Sequence, residues 1–225
     1  MIKKIIFKIK RFNYFYNLFD RDVVTLYRFI KLNFFSSNVR RYGNAFFYPY
    51  KGVVLSLSPS AVIELYGDFH LGKPLIKRHG DNSRLIMGKF SRITVNKRCE
   101  ILEGCDIQII DNGTFTVDDF HSNIDLEVLC GYQIRMIGNI TAGRHVRLKD
   151  YNGHEVNYKE YPYKKPIVIE DHVWLCTGST INPGCYIESG SVVSDNSNVI
   201  GRVPLNSFVQ GNPAKIIKDD ILFKI

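Results

Sequence analysis

The stretch IEDHVWLCTGSTINPGCYIESGSVVSDNSNVIGRVPL, residues 169–205, decides the fold. Aliphatic residues recur in it every six positions, at Ile169, Leu175, Ile181, Ile187, Val193, Val199 and Leu205. A second, mostly small series follows four places later at Val173, Ser179, Cys185, Ser191, Ser197 and Val203. On an α-helix six residues advance about 600°, so such positions share no buried face. A solenoid that turns a corner every six residues stacks them directly. The pattern therefore predicts a hexapeptide-repeat parallel β-helix, with aliphatic lead positions filling the interior and small residues easing the corners.

Working toward the N-terminus, the frame breaks between Lys149 and Pro166 and returns at Met136, Ala142 and Leu148, with Ile134, Ile140 and Val146 two places before them. A break of that length inside a regular wall predicts an extruded loop, and long loops on rigid scaffolds carry function. From Val53 onward short alternating apolar runs are punctuated by Gly67, Gly72, Gly88, Gly104 and Gly113. These are strand and turn signals without helix between them, and predict earlier, less regular coils of the same solenoid. The expected organisation is an N-terminal helical segment at 1–50, a solenoid at 51–218 with the loop 149–166, and a tail at 219–225.

The chain has 225 residues and a formal net charge of +8. Residues 1–42 carry ten Lys and Arg against Asp20 and Asp22, while the rest is balanced. As a helix, residues 2–12 would put Ile2, Ile5, Ile6, Ile9 and Phe12 on one side and Lys3, Lys4, Lys8, Lys10 and Arg11 on the other. Val24, Leu26 and Ile30 suggest a second short helix. Two readings of this basic, aromatic-rich segment stay open: packing against the solenoid or another subunit, and peripheral attachment of residues 1–12 to an anionic membrane. No nucleic-acid recognition motif is present.

Five cysteines, Cys99, Cys105, Cys130, Cys176 and Cys185, include no C-x-x-C pair and are odd in number, which argues against a disulfide framework and suits a reducing cytoplasm. Basic residues interrupt any signal-peptide core, and no run approaches the roughly 20 apolar residues of a membrane span. His70, His79, His121, His145 and His172 are scattered without ligand spacing, so no metal site is expected.

Several segments carry a resemblance. The loop reads Lys149-Asp150-Tyr151-Asn152-Gly153-His154-Glu155-Val156, followed by Val173-Trp174-Leu175, Ile181-Asn182-Pro183-Gly184 and Gly211-Asn212-Pro213-Ala214-Lys215. In this order they resemble the left-handed β-helix acetyltransferases of the galactoside, maltose and capsular polysaccharide O-acetyltransferase group. The resemblance is continuous from Pro166 to Lys218, thinner over 123–154 and only a general pattern before that.

It implies a homotrimer with acetyl-CoA in the groove between neighbouring solenoids. It further implies that His154 is the catalytic base on a loop reaching a neighbour, and that Trp174 and Thr177 line the pantetheine and thioester. The Thr177 backbone N–H would hold the thioester oxygen. Asp195 falls at a cofactor contact, Lys215 and Lys218 at basic positions near the phosphates and adenine, and Asn123 at an acceptor-binding asparagine. Asp150 and Tyr151, on the loop, join Asn123 as acceptor-side candidates. In one place the chain departs from the pattern: Val199-Ile200-Gly201-Arg202-Val203-Pro204 stands where relatives place a Thr and a Lys, leaving Arg202 as the substitute cofactor contact.

The expected chemistry is acetyl transfer to a saccharide hydroxyl, on a surface polysaccharide or its precursor. A histidine titrating near neutrality can take the hydroxyl proton, and a fixed backbone N–H can meet the oxyanion. Cys176 sits at a wall position with no assigned base, so direct transfer in a ternary complex is the simpler expectation. N-acetylation of an amino sugar, a zinc-dependent hydratase of related shape and a non-catalytic scaffold remain alternatives at this point.

Overall fold

The computed structural model describes residues 19, 21–75, 82–156 and 163–224. Parallel strands stack in successive coils that have three faces. Face one runs through β1 (Val39–Arg41), β4 (Val62–Leu65), the first halves of β7 (Arg92–Leu102), β9 (Thr114–Ser122) and β11 (Gln133–Ala142), then β13 (Ile167–Ile169), β16 (Tyr186–Ile187) and β19 (Arg202–Val203). Face two contains β2 (Phe47–Pro49), β5 (Asp68–Lys73), the second halves of β7, β9 and β11, and β14 (Val173–Leu175), β17 (Val192–Val193) and β20 (Phe208–Gly211). Face three is built from β3 (Val54–Leu57), β6 (Arg84–Met87), β8 (Asp106–Ile109), β10 (Glu127–Cys130), β12 (Arg147–Lys149), β15 (Thr180–Ile181) and β18 (Asn198–Val199).

The sixfold period explains the interior. Ile169, Leu175, Ile181, Ile187, Val193 and Val199 are all buried, as are Ile134, Met136, Ile140, Ala142, Val146 and Leu148 in the coil before the loop. The small series is buried at every position from Val173 to Val203, where a larger side chain would crowd the corner. Leu205 corrects the reading: it is 55% exposed, and Val203 and Val209 take the interior places instead. The cause is a shorter coil. Ile169 pairs with Ile187, eighteen residues on, whereas Ile187 pairs with Val203, sixteen on, so the turn at Ile200 and Gly201 shifts the frame by two.

The solenoid also begins earlier than the expected boundary at 50, since β1 and β2 already pair with β4 and β5. What precedes it is α1 (Val23–Phe35), the second of the expected helices; the expected helix at 2–12 lies outside the described residues. Asp22 caps α1 by accepting from the Val24 and Thr25 amides. Leu26 and Phe29 pack on Phe46, Tyr48 and Tyr50, a cluster separate from the main core. Asn33 completes the seal: its amide donates to the Phe47 carbonyl at 2.7 Å and accepts from the Phe47 N–H at 2.8 Å. One side chain thus replaces the strand that the first edge of the sheet lacks. At the other end β21 (Ala214–Lys218) folds back antiparallel on β20. Among the described residues no helix is long and apolar enough to cross a membrane.

Candidate active site

Trp174 projects from face two, where its neighbours along the outward column are Thr141 one coil before and Val192 one coil after. It is 42% exposed, unusual for a tryptophan unless a partner or ligand covers it. Beyond β14 the chain turns the corner toward face three, and Gly143, Cys176 and Ser194 stack there through backbone bonds of 2.7–2.9 Å to Leu175, Val193 and Val209. Thr177 stands at this corner, exposed, with its carbonyl accepting from Asn196 at 2.8 Å and its own N–H without an acceptor among the described residues. Gly143 keeps that N–H open, because a Cβ there would lie 2.7 Å from the Thr177 nitrogen. A rigid, unpaired N–H three residues from an exposed tryptophan can stabilise an oxyanion.

Asp195 is exposed one coil further along this corner, and Lys215 and Lys218 are exposed on β21, paired with Gln210 and Phe208 of β20. Phe208 follows Trp174 and Val192 in the same outward column, so Lys218 lies beside the end of that column. The structure therefore gathers Trp174, Thr177, Asp195, Lys215 and Lys218 on one face and its corner. Arg202 is elsewhere. It projects from β19 on face one, in line with Tyr186, and ion-pairs with Glu188 in a recess also lined by Glu170.

The loop leaves from a third place, the corner between faces three and one, directly before the turn at Asn182–Gly184. Its base closes by an antiparallel bridge between Tyr151 and Lys164, with Asn152 N–H donating to the Tyr163 carbonyl and Lys165 N–H to the Asp150 carbonyl, both at 3.0 Å. His154 is exposed beyond Gly153 and shares no face with Trp174 or Thr177 of its own chain. Tyr151 packs edge-on against Tyr163 and donates its hydroxyl to the Gly153 carbonyl, which shapes the backbone immediately before His154.

Asp150 needs a different role from the one its sequence position suggested. It is fully buried, and its carboxylate accepts from the Gly131 and Tyr132 amides at 2.6 and 3.0 Å. Burial raises its pKa and those amides oppose the rise. It anchors the loop from beneath and presents nothing to a saccharide. Asn123 sits at the end of β9 with its side-chain oxygen accepting from Ile124 N–H at 2.8 Å; its coil position is one before Gly143.

All five cysteines are free and buried. Burial, reinforced by Asp195, pushes the Cys176 thiol up to about 11, so it stays protonated near neutrality and makes a poor nucleophile.

Two features of this region carried no sequence signal. Phe223, in the tail, stacks on His172 with ring centres 4.5 Å apart, sets its carbonyl oxygen 2.9 Å from His172 Nε2, and places its ring 6.3 Å from Trp174. Only the turn of β21 back along β20 brings the tail there. The second is a cluster around Glu100, three coils before Trp174.

No family model matches the chain. It is 29% identical over 105 residues to galactoside O-acetyltransferase of Escherichia coli K12, covering 45% of this chain and 51% of that protein. It is 46% identical over 59 residues to 2,3,4,5-tetrahydropyridine-2,6-dicarboxylate N-acetyltransferase of Clostridium perfringens SM101, covering 26% and 25%. The proteins this chain resembles are acetyltransferases. It spans about half the length of the curated relatives it matches over the longest stretches. Among solved structures, the polySia-specific acetyltransferase NeuO superposes on 84% of this chain and 83% of its own with a TM-score of 0.54 at 22% identity, a likeness of fold.

Proposed function

We propose that this chain is an acetyl-CoA-dependent O-acetyltransferase that modifies a saccharide hydroxyl, working as a trimer of left-handed β-helices. The observation that carries the reading is the unpaired Thr177 N–H, held open by Gly143 beside exposed Trp174, on a chain whose relatives are acetyltransferases. Acetyl-CoA would lie along face two, with its thioester at the Thr177 corner, its pantetheine against Trp174 and its phosphates toward Lys215 and Lys218. Asp195 contributes at the same corner, and Arg202 reaches the cofactor only across a subunit boundary, because it lies on face one.

The acceptor hydroxyl gives its proton to the His154 imidazole as its oxygen attacks the thioester carbonyl. The C–O bond forms while negative charge develops on the carbonyl oxygen, which the Thr177 N–H stabilises. Collapse breaks the C–S bond and expels the CoA thiolate, which receives the proton from the imidazolium. Atoms and charge balance without an acyl-enzyme, in keeping with the raised Cys176 thiol.

A His154→Ala chain is expected to keep its thermal midpoint and its acetyl-CoA binding by calorimetry, while acetyl transfer drops by about 10²- to 10⁴-fold. Near-wild-type turnover would overturn the assignment of the base. Absence of acetyl-CoA binding by the wild-type chain would favour a scaffold. The similarity to an N-acetyltransferase supports one second reading, acetylation of an amino sugar. Mild alkali separates the two, since it cleaves an ester product and leaves an amide.

A further inference from the structure

Below Trp174 on face two, the outward column passes through Thr141 and His121 to Glu100. Glu100 is 6% exposed and gathers three basic groups: Lys73 Nζ at 2.7 Å, Arg98 at 3.0 Å and His121 Nδ1 at 3.2 Å. Burial pushes its carboxyl up, but bonds from Lys73 and Arg98 outweigh this and hold it at about 2, so it is ionised in any ordinary buffer. An ionised carboxylate only accepts. A neutral His121 beside it is therefore favoured with its proton on Nδ1, which leaves a bare lone pair on Nε2.

The His121 side chain is 45% exposed, so this lone pair can meet a ligand. His70, further down the column, cannot do the same: it is stacked on Tyr48 with ring centres 4.3 Å apart and its Nδ1 meets the Tyr50 hydroxyl at 3.1 Å. Two coils, or about 10 Å, separate His121 from Trp174, a span suited to one or two sugar rings. Asn123 is two residues further along the same chain. Asp68 and Asp119 flank Arg98 in the adjacent row, so the patch is close to charge-balanced and suits hydroxyl groups better than an anion.

We propose that His121 is an acceptor-contacting residue, whose Nε2 accepts a hydrogen bond from a hydroxyl of an uncharged sugar ring and sets the acceptor's position along face two. This inference rests on the functional reading above. Glu100 is the positioning residue behind it, fixing the imidazole through Nδ1.

Two substitutions separate contact from packing. His121→Asn keeps an amide near Glu100 but removes the outward acceptor; His121→Gln extends an amide oxygen toward the Nε2 position. With the best substrate from a mass-spectrometric screen of neutral, amino and acidic saccharides, the Asn variant should raise the acceptor KM by about tenfold, the worth of one hydrogen bond. Its KM for acetyl-CoA should not move, and the Gln variant should recover most of the loss. An unchanged acceptor KM in the Asn variant overturns the proposal, as does equal damage by Asn and Gln. A wild-type chain that binds acetyl-CoA but acetylates no member of the panel defeats the functional reading itself, and this inference falls with it.

Discussion

Glu100 is placed at the end of an ordinary strand alternation, yet it turns into the most strongly perturbed carboxylate of the cluster it organises. Its folded-state pKa of about 2 lies below the ordinary 4.5, so its contribution to stability is fully present above about pH 4.5 and is lost as pH falls toward 2. In Glu100→Gln that acid-side slope should shrink over this window, as measured by urea midpoints at stepped pH; an identical pH profile in both proteins would show that the ion cluster adds nothing to folding. At this scale the sequence was only partly legible. His154, Trp174 and Thr177 stood out through motifs, but their environments did not. Asp150, adjacent to the loop, read as an acceptor residue because spacing does not report that the side chain after the last residue of β12 turns inward to two backbone amides. His121 showed only as one of several scattered histidines, because its partner, Glu100, is contributed by the preceding coil, 21 residues away in sequence.

Elements were more legible than side chains, because each coil repeats the same demand for an aliphatic interior and a small corner. The frame failed where geometry, not composition, changed: the two-residue contraction at Ile200–Gly201 moved Leu205 to the surface without altering the apolar rhythm. The first edge is a different problem, since a parallel stack always leaves one strand without a partner on one side. Here α1 covers Phe46, Tyr48 and Tyr50 on and beside β2, and Asn33 supplies the missing hydrogen bonds to both polar groups of Phe47. Asn33→Leu retains bulk but leaves the Phe47 N–H and C=O buried and unpaired. Each orphan costs about 1–3 kcal/mol, so a loss of about 3 kcal/mol in unfolding free energy is expected from denaturant titration. An unchanged midpoint would mean that the edge relaxes onto water, and that α1 seals it by its aromatic contacts alone.

At the level of the whole molecule, a single chain holds both halves of the proposed chemistry without joining them. Trp174 and Thr177 mark one corner, whereas the His154 loop leaves from another, where Asp150 and the Tyr151–Lys164 bridge fix its base. In the proposed mechanism, a base carried on a stem anchored at this corner acts on the Thr177 corner of a neighbouring copy. Rotational assembly allows this, because a heterologous contact brings one corner of each subunit against a different corner of the next. Complementation tests it directly. His154→Ala and Trp174→Ala chains, each poorly active alone, are co-refolded in equal amounts; in a closed ring about a quarter of the junctions then pair an intact loop with an intact corner. Acetyl transfer should recover to roughly that fraction of wild type, with light scattering reporting the trimer throughout. If the mixed trimers form and activity stays at the level of the separate variants, the two halves serve the same subunit and the loop must move to reach its own Thr177.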